Sequence, residues 1–306
     1  MVKAFGYRSN GTPEVQEFLE LDAPTPLAGE LLVQVRAAGV NPVDWKIRSG
    51  AYGTTSPDKL PTVFGFEASG VVRAVGQDVE GFAVGDEVFG RAAPGSGTWA
   101  EYTLLTADGT AHKPPHVSFN DAATLPIAGA TAYDGVTQLE LKPGQTLLIN
   151  GASAGVGVAA AQIARDLDIN VIGIASEAKQ ALVESLDATF VAYGFGVADR
   201  IRALMPDGVD AIVDLAGGDG LRAVADLVTD RTKLISAADG ATAAELGGHV
   251  IVRDYDRRVL DVLAAMVADG KLDPHVEDAV PLDKAADALA AVEGGHAKGK
   301  VIIEVA

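Results

Sequence analysis

The sequence predicts an α/β protein in which a β-barrel-like domain is followed by a doubly wound parallel sheet. Up to about residue 120, short β-rich runs alternate with turns that contain Pro and Gly, a pattern typical of small barrels. From about Asp121 onward, helical and strand patterns take turns, which is the alternation that builds a parallel sheet. A glycine-rich segment in the middle of the chain lies between two apolar, strand-like runs.

Length and charge limit the classes of protein that the chain can belong to. Its 306 residues are enough for two domains with a full hydrophobic core. Hydrophobic residues make up 48% and charged residues 22% of the chain, a composition that excludes a disordered protein. With 24 Lys and Arg against 42 Asp and Glu, the net charge of −18 opposes attraction to nucleic acid or to an anionic membrane.

The chain contains no cysteine, so disulfides, thiolate zinc sites and cysteine nucleophiles are excluded. The N-terminal segment lacks the basic-then-apolar pattern of a secretory signal, and no apolar run approaches the roughly 20 residues of a membrane helix. We therefore expect a cytoplasmic protein with no nucleic-acid or membrane partner.

The first domain is predicted from six β-rich runs. They are Val2 to Tyr7, Val15 to Leu21, Glu30 to Val40, Ala68 to Val75, Glu87 to Gly90 and Glu101 to Leu105. Turn residues such as Pro42, Gly76 and Gly85 separate them. Runs at this spacing favour a compact barrel.

The second domain is predicted from a helix near Asp121 to Leu139 and from the alternating elements that follow. Strands are expected at Leu147 to Asn150, Val171 to Ala175, Ala188 to Tyr193, Ala211 to Leu215 and Lys233 to Ser236. Helices are expected at Val156 to Leu167, Ala178 to Leu186 and Leu221 to Leu227. The apolar spacing of Arg257 to Ala268 indicates an amphipathic helix, and Val301 to Val305 is expected to form a closing strand.

The segment Gly151 to Gly157 is the most informative part of the chain, because a strand precedes it, a helix begins at its end and a second strand follows. Within roughly thirty residues, this arrangement is the pattern that binds a dinucleotide pyrophosphate. The free N–H groups and the positive end of the helix dipole form an anion site without a charged side chain. The alternative is a loop whose glycines serve only a sharp turn.

Five further motifs carry a resemblance to a known family. They are Ala38 to Asp44, Leu60 to Glu67, Val84 to Gly90, Gly97 to Tyr102 and Gly299 to Ile302. With the β domain placed first, the chain resembles the zinc-independent quinone oxidoreductase (zeta-crystallin-like) branch of the medium-chain dehydrogenase/reductase superfamily. The resemblance implies a GroES-like catalytic domain at residues 1–121 and 254–306. It also implies a Rossmann NADPH-binding domain at 122–253, with the site in the cleft between the two.

The residue types at two positions argue against zinc. Zinc-dependent members of the superfamily carry Cys where this chain has Asn41, and Gly-His-Glu where it has Gly65-Phe66-Glu67. An amide and a phenyl ring do not bind zinc in the usual way. We therefore expect no metal site and no zinc alkoxide chemistry.

The end of the second parallel strand favours NADPH over NADH. NAD-binding folds typically carry an acidic residue there, whereas this strand ends at Ser176. The resemblance assigns Ser176, Lys179 and Tyr193 to recognition of the 2′-phosphate, and contacts of this kind are strong. The alternatives are that Ser176 is a helix N-cap, Lys179 a solvated charge and Tyr193 a packing residue. Glu177 argues for NADH.

The resemblance places further residues against the cofactor: Thr131, Ser153, Ala154, Gly155, Val156, Ala216 and Ala237. In this family the middle glycine of the loop is usual where the chain has Ala154. Because backbone and pyrophosphate approach closely at that position, the added methyl is a minor departure that weakens or shifts the phosphate contact.

With no metal and no nucleophile, the reaction left is direct hydride transfer from the cofactor. The resemblance places Asn41 and Tyr52 near the nicotinamide. Asn41 is expected to orient the carboxamide or the substrate, and Tyr52 to donate a hydrogen bond to the developing oxyanion. The alternatives are an Asn-Pro turn for Asn41 and a mobile loop aromatic for Tyr52. Asp44 is expected to order the loop rather than move protons.

Three histidines are weaker candidates. His112 and His116 are expected to share a loop whose prolines argue against a helical metal pair, so we interpret both as surface residues. The resemblance places His249 near the substrate cleft, where it either tunes substrate choice or has no role.

These observations predict an NADPH-dependent, zinc-independent reductase that transfers hydride to quinones or α,β-unsaturated carbonyls. Two alternatives stay open: an enoyl-thioester reductase, and a non-catalytic NADPH-binding or redox-sensing protein of the same fold. The acidic surplus does not favour the first, which needs a basic entrance for the phosphate of a carrier. A homodimer is expected, because similar proteins commonly pair through the edge of the nucleotide sheet.

Overall fold

The structure, a computed structural model, describes residues 1–295 and 297–305. The chain forms two compact units. Unit 1 contains Met1–Ile127, Tyr255–Ala268 and His275–Ala306, and unit 2 contains Ala128–Asp254 and Asp269–Pro274. The domain limits expected from the sequence, 1–121 with 254–306 and 122–253, stay a prediction.

The bounds of the regular elements in the described residues are as follows. The strands are β1 (Val2–Tyr7), β2 (Gln16–Leu21), β3 (Glu30–Val40), β4 (Thr62–Val63), β5 (Glu67–Val75), β6 (Glu87–Ala92), β7 (Tyr102–His112), β8 (Thr146–Asn150), β9 (Asn170–Ala175), β10 (Thr189–Ala192), β11 (Ala211–Asp214), β12 (Leu234–Ser236), β13 (His249–Val250), β14 (Val276–Pro281) and β15 (Lys300–Glu304). The α-helices are α1 (Pro42–Ser49), α2 (Phe119–Ala122), α3 (Ala130–Thr137), α4 (Gly155–Asp166), α5 (Gln180–Ser185), α6 (Val197–Leu204), α7 (Gly218–Val224), α8 (Gly240–Glu245), α9 (Arg257–Ala268) and α10 (Ala285–Glu293).

Unit 1 is built on a closed β-barrel. Strands β3, β5, β6 and β7 pair in that order, and β7 also pairs with β3 to close the ring. Strands β15 and β14 extend the sheet beyond β3, and β2, β1 and β4 form a separate sheet. Three buried aromatic rings, Phe5, Phe64 and Trp99, pack against one another with centroids 5.1 to 6.3 Å apart. The unit therefore has an aromatic core of its own.

Unit 2 is a six-stranded parallel sheet in the order β10-β9-β8-β11-β12-β13. This is the strand order of the Rossmann fold, in which the direction of winding reverses between β8 and β11. All residues of β8 and β11 are buried, as expected for strands that are covered on both faces. The predicted parallel sheet is confirmed.

Two predicted elements are wrong in their extent. The single helix expected from Asp121 to Leu139 is divided into α2, a π-helical turn at Leu125–Gly129 and α3. Pro126 lies inside the π-helical turn and has no N–H to donate, so a continuous α-helix is interrupted there. The strand expected to end at Leu105 continues to His112, because the second half of β7 pairs with β6. His112 therefore lies in a strand and not in a loop.

His116 and His249, the other two candidate histidines, are exposed. His116 lies in the turn after β7, and His249 lies in β13. In the described residues, no helix combines the length and the apolar character needed to cross a bilayer.

A buried arginine joins two helices of unit 1. Arg48 in α1 is 1% exposed, and its two Nη atoms donate to the carboxylate of Glu293 in α10 at 3.1 and 2.9 Å. Its Nε donates to the carbonyl of Gly11 at 3.2 Å. A bidentate pair of this kind fixes the angle between the two side chains and satisfies the buried guanidinium.

The substitution Glu293→Ala is expected to lower the free energy of unfolding by about 2 kcal/mol, because it leaves the buried guanidinium without its carboxylate. Urea unfolding measures this change. The control is Asp287→Ala in the same helix, where a 76% exposed side chain faces Lys284 and the expected loss is under about 0.5 kcal/mol. Equal losses in the two variants would contradict a structural role for the Arg48 pair.

Candidate active site

The glycine-rich segment forms a tight turn between β8 and α4. Gly151 has a φ of +96°, a conformation that favours glycine. The amide of Val158 donates to the carbonyl of Ala154 at 2.8 Å and is the first in α4 to be bonded within the helix. The N–H groups of Gly155, Val156 and Gly157 precede it and have no acceptor in the helix. Together with the helix dipole they form an anion site.

The backbone of this turn fits a dinucleotide. A Cβ added to Gly157 would meet the carbonyl oxygen of Gly151 and lie 2.7 Å from the carbonyl carbon of Ala152, so only glycine allows the helix to pack this closely on the turn. Ala154 is exposed and has an extended backbone, with φ −83° and ψ 162°. Its methyl therefore causes no backbone strain. Ser153 is 5% exposed.

Three predicted residues lie at the carboxyl ends of β9 and β10. These strands are parallel with Ala175 opposite Ala192, and the amide of Tyr193 donates to the carbonyl of Ala175 at 2.9 Å. Ser176 and Lys179 are partly exposed, and Tyr193 is 67% exposed. The backbone of Ser176 begins a short 3₁₀-helix, but its side chain makes no capping hydrogen bond. The structure thus brings the three residues to one edge of the sheet.

Two other predicted cofactor residues, Ala216 and Ala237, lie on the opposite side of the switch point. Ala216 follows β11 and Ala237 follows β12, and both are exposed. Thr131 in α3 is 8% exposed and accepts a hydrogen bond from Arg253. The Nε of Arg253 donates to Asp134 at 2.9 Å. Burial raises the pKa of Asp134, and its hydrogen bond with Arg253 opposes the shift.

Three buried polar residues at the same edge of the sheet were not predicted from the sequence. Asn150, Asp214 and Ser236 are the last residues of β8, β11 and β12, and each is at most 4% exposed. The amide of Asn150 and the hydroxyl of Ser236 both donate to the carboxylate of Asp214, at 2.7 and 2.6 Å. The available signal was that each of these apolar strands ends in a polar residue.

In unit 1, Asn41 belongs to a buried charged cluster. The Nζ of Lys300 donates to Glu67 Oε1 at 2.7 Å, to Asn41 Oδ1 at 2.8 Å and to the carbonyl of Val40 at 3.1 Å. Asn41 Nδ2 donates to Glu67 Oε1 at 2.7 Å. Because an ammonium only donates and a carboxylate accepts, these partners determine which end of the amide is oxygen. One Nδ2 proton is not used by this contact.

Asp44 holds the loop that carries Asn41. Its carboxylate accepts from the amides of Asn41 at 2.8 Å and Gly65 at 3.1 Å. Burial raises the pKa of Asp44 to about 7, against the opposing effects of these hydrogen bonds and of the Lys300 ammonium. Tyr52 lies beyond the end of α1 and is 65% exposed, so the structure does not bring its hydroxyl into the Lys300 cluster.

No group of three or more His, Cys, Asp or Glu side chains in the described residues could hold a metal ion. At one of the two positions that distinguish zinc-dependent members, the Asn41 amide is bonded to Glu67 and Lys300. At the other, Phe66 is partly exposed.

A barrel unit together with a Rossmann sheet that carries a dinucleotide-type turn is the architecture of a two-domain dinucleotide-binding protein. The family model described as "Alcohol dehydrogenase GroES-like domain" matches residues 27–115, and that described as "Zinc-binding dehydrogenase" matches residues 186–303. The first match confirms the predicted GroES-like domain.

Known proteins are similar over nearly the whole chain. A 2-methylene-furan-3-one reductase of Solanum lycopersicum and a chloroplastic NADPH-dependent alkenal/one oxidoreductase of Arabidopsis thaliana are each 33% identical, over 99% of this chain and 79% of theirs. The structure of a quinone oxidoreductase from Coxiella burnetii is 30% identical, with a TM-score of 0.91 over 100% of this chain and 99% of that one. The chain belongs to the quinone oxidoreductase branch of the medium-chain dehydrogenase/reductase superfamily and is an NAD(P)H-dependent oxidoreductase.

Asp44 is expected to make stability depend on pH. Between about pH 4 and pH 7 the native carboxyl holds a proton that the unfolded chain, with an ordinary pKa of 3.8, has lost, so the free energy of unfolding falls as the pH rises through this window. Urea unfolding across that range is expected to give a flatter profile for Asp44→Asn than for the unmodified chain.

The control for this measurement is Asp199→Asn, which removes an 85% exposed carboxyl and is expected to preserve the slope. If Asp44→Asn has the same slope as the unmodified chain, the protonation of Asp44 does not contribute to the pH dependence.

Proposed function

We propose that the protein reduces quinones or α,β-unsaturated carbonyls with NADPH, by direct hydride transfer and without zinc. The observation that carries the proposal is the glycine turn at the start of α4, which lies at the switch point of the parallel sheet and fits a pyrophosphate. The names of the relatives, which include reductases of quinones and of alkenals and enones, support the substrate class.

The preference for NADPH is supported by the residues that follow β9 and β10. Ser176 supplies a hydroxyl donor and Lys179 a cation for a 2′-phosphate, and Tyr193 is exposed beside them. NAD-binding folds typically carry a carboxylate at the end of the second strand, where this chain has Ser176. Glu177 is exposed in the next position and is the one feature that opposes a phosphate there.

In this mechanism the bound cofactor supplies the hydride, and the chain supplies binding and orientation. The first N–H groups of α4 hold the pyrophosphate. The hydroxyl of Tyr52 donates a hydrogen bond to the substrate oxygen as that oxygen gains negative charge, and the resulting anion takes a proton from solvent to complete the reduction. Asn41 is held by Glu67 and Lys300 and uses its second Nδ2 proton to orient the carboxamide or the substrate.

The absence of zinc from the mechanism follows from the donor set. Zinc prefers thiolate, imidazole and carboxylate ligands. Asn41 provides a neutral amide that is hydrogen bonded to Lys300, and the ammonium of Lys300 is itself a buried cation at this position. A second cation next to it would be repelled.

Two expectations about the protein in the cell are part of the proposal. A cytoplasmic location is kept as the expectation made from the sequence, although several relatives are named as chloroplastic or mitochondrial. A homodimer formed through an edge of the parallel sheet would use β10 or β13, because these are the two edge strands of that sheet.

The direct test is oxidation of NADPH by the purified chain, measured as loss of the absorbance of reduced nicotinamide. Quinones, alkenals and enones, and an enoyl thioester are supplied as separate acceptors. Turnover with a quinone or an enone is the expected result. Turnover with the thioester alone would favour an enoyl-thioester reductase, and binding of NADPH with no turnover on any acceptor would favour a non-catalytic protein.

The substitution Lys179→Ala is expected to raise KM for NADPH about tenfold and to leave KM for NADH nearly unchanged, because it removes a charge-assisted contact to the 2′-phosphate. Steady-state kinetics with the two cofactors measure the difference. Lys142→Ala is the matched control, since Lys142 is exposed and precedes β8 at the amino edge of the same sheet. An equal rise for both cofactors would refute the 2′-phosphate assignment.

The substitution Tyr52→Phe is expected to lower kcat about tenfold with little change in KM for NADPH, since it removes one donor to the developing oxyanion. Tyr102→Phe in β7 removes a hydroxyl from the barrel and is expected to leave kcat unchanged. Unchanged kinetics in Tyr52→Phe would assign this residue to packing.

A further inference from the structure

Asp214 is a fully buried carboxylate at the end of β11. It accepts hydrogen bonds from the last residues of both neighbouring strands, Asn150 of β8 at 2.7 Å and Ser236 of β12 at 2.6 Å. The carboxylate therefore ties together the carboxyl ends of three adjacent parallel strands. One of the two strand pairs that it joins, β8 and β11, is the switch point of the sheet.

The same carboxylate shapes the backbone that follows β11. The amide of Ala216 donates to Asp214 Oδ1 at 3.3 Å, and the amide of Gly217 lies 3.1 Å from each carboxylate oxygen. Gly217 has a φ of +73°, so the chain turns sharply around the carboxylate. The exposed methyl of Ala216 is carried by this turn.

Ser236 links Asp214 to the backbone that follows β12. Its hydroxyl donates to Asp214 and accepts from the amides of Ala238 at 3.1 Å and Asp239 at 3.0 Å. Ala237 lies inside the turn that these bonds define. Both residues that were predicted to contact the cofactor on this side of the sheet are thus positioned by one carboxylate, either directly or through a single hydroxyl.

An amide could not replace this carboxylate. Asp214 accepts on both oxygens, from Asn150, Ala216 and Gly217 on Oδ1 and from Gly217 and Ser236 on Oδ2. An asparagine has one acceptor oxygen, and its NH₂ group would face donors. Within the described residues no Lys or Arg forms an ion pair with Asp214, and its partners are N–H and O–H groups. The hydrogen bonds of Asp214 hold the turn after β11 directly and the turn after β12 through Ser236.

In this fold a dinucleotide lies across the switch point, with one mononucleotide half on each side. The proposed 2′-phosphate contacts follow β9 and β10, so the turns after β11 and β12 belong to the other half. We infer that Asp214 is a positioning residue, which holds the backbone after β11 and β12 in the conformation that receives the nicotinamide half of the cofactor. The inference rests on the proposed function.

The test compares two ligands by calorimetry in the absence of an acceptor. One is NADPH, and the other is adenosine 2′,5′-bisphosphate, which has the adenosine and the 2′-phosphate but no nicotinamide half. Asp214→Asn is expected to weaken NADPH binding about tenfold and to leave binding of the bisphosphate unchanged. A similar loss for both ligands, or no loss for NADPH, would overturn the inference.

The matched control is Asp210→Asn at the other end of β11. Asp210 accepts from the amide of Thr146 and the side chain of Gln145, each at 2.7 Å, so its substitution also disturbs hydrogen bonds between strand ends. It is expected to lower the thermal stability without changing the affinity for either ligand. Selective loss of NADPH binding in this control would show that the effect is not specific to Asp214.

A milder variant keeps the inference testable if Asp214→Asn does not fold. Ser236→Ala removes only the link to the turn after β12 and is expected to weaken NADPH binding selectively, by a smaller factor than Asp214→Asn. Unchanged NADPH binding in this variant would refute the link.

If the unmodified chain binds NADH and not NADPH, the proposed cofactor is wrong. The Asp214 inference is then tested with NADH against ADP, with the same split expected.

Discussion

The ion pair between Lys300 and Glu67 is the interaction on which the barrel unit depends. Both side chains are at most 4% exposed, and moving two charges out of water is costly unless every donor and acceptor is used. Lys300 meets this condition with Glu67, Asn41 and the carbonyl of Val40, and Glu67 also accepts from the amide of Ile127 at 2.7 Å. Strands β3, β5 and β15 are thereby joined at one point in the interior.

This ion pair also determines the backbone next to it. A Cβ on Gly39 would collide with the carboxylate of Glu67, so the chain can pass the buried pair only with glycine at that position. Asn41 then starts α1 with its amide orientation already determined. Of the two candidate catalytic residues of this unit, Asn41 is consequently held by its hydrogen bonds with Lys300 and Glu67 and not by a metal ligand set.

Unit 2 also contains a buried carboxylate, but there no Lys or Arg in the described residues pairs with it. Asp214 is as deeply buried as Glu67, but its partners are N–H and O–H groups of Asn150, Ser236 and the backbone. Neutral donors distributed around a carboxylate fix the geometry of several chain segments at once. At the carboxyl edge of the sheet, the turns after β11 and β12 are therefore held in place by hydrogen bonds, on the side opposite the proposed 2′-phosphate contacts.

The sequence by itself determined the order of the two folds and the position of the dinucleotide turn. The apolar runs that became β8, β9 and β11 are recognisable because parallel strands are buried on both faces, and Gly151 to Gly157 is a local motif. The single helix predicted across Pro126 was wrong because the apolar pattern continues on both sides of a proline that interrupts the backbone hydrogen bonds. Only the tertiary structure decided the partners of the buried charges. Lys300 and Glu67 are 233 positions apart and Asp214 and Asn150 are 64 apart, and no local spacing specifies contacts that form only when distant strands pair.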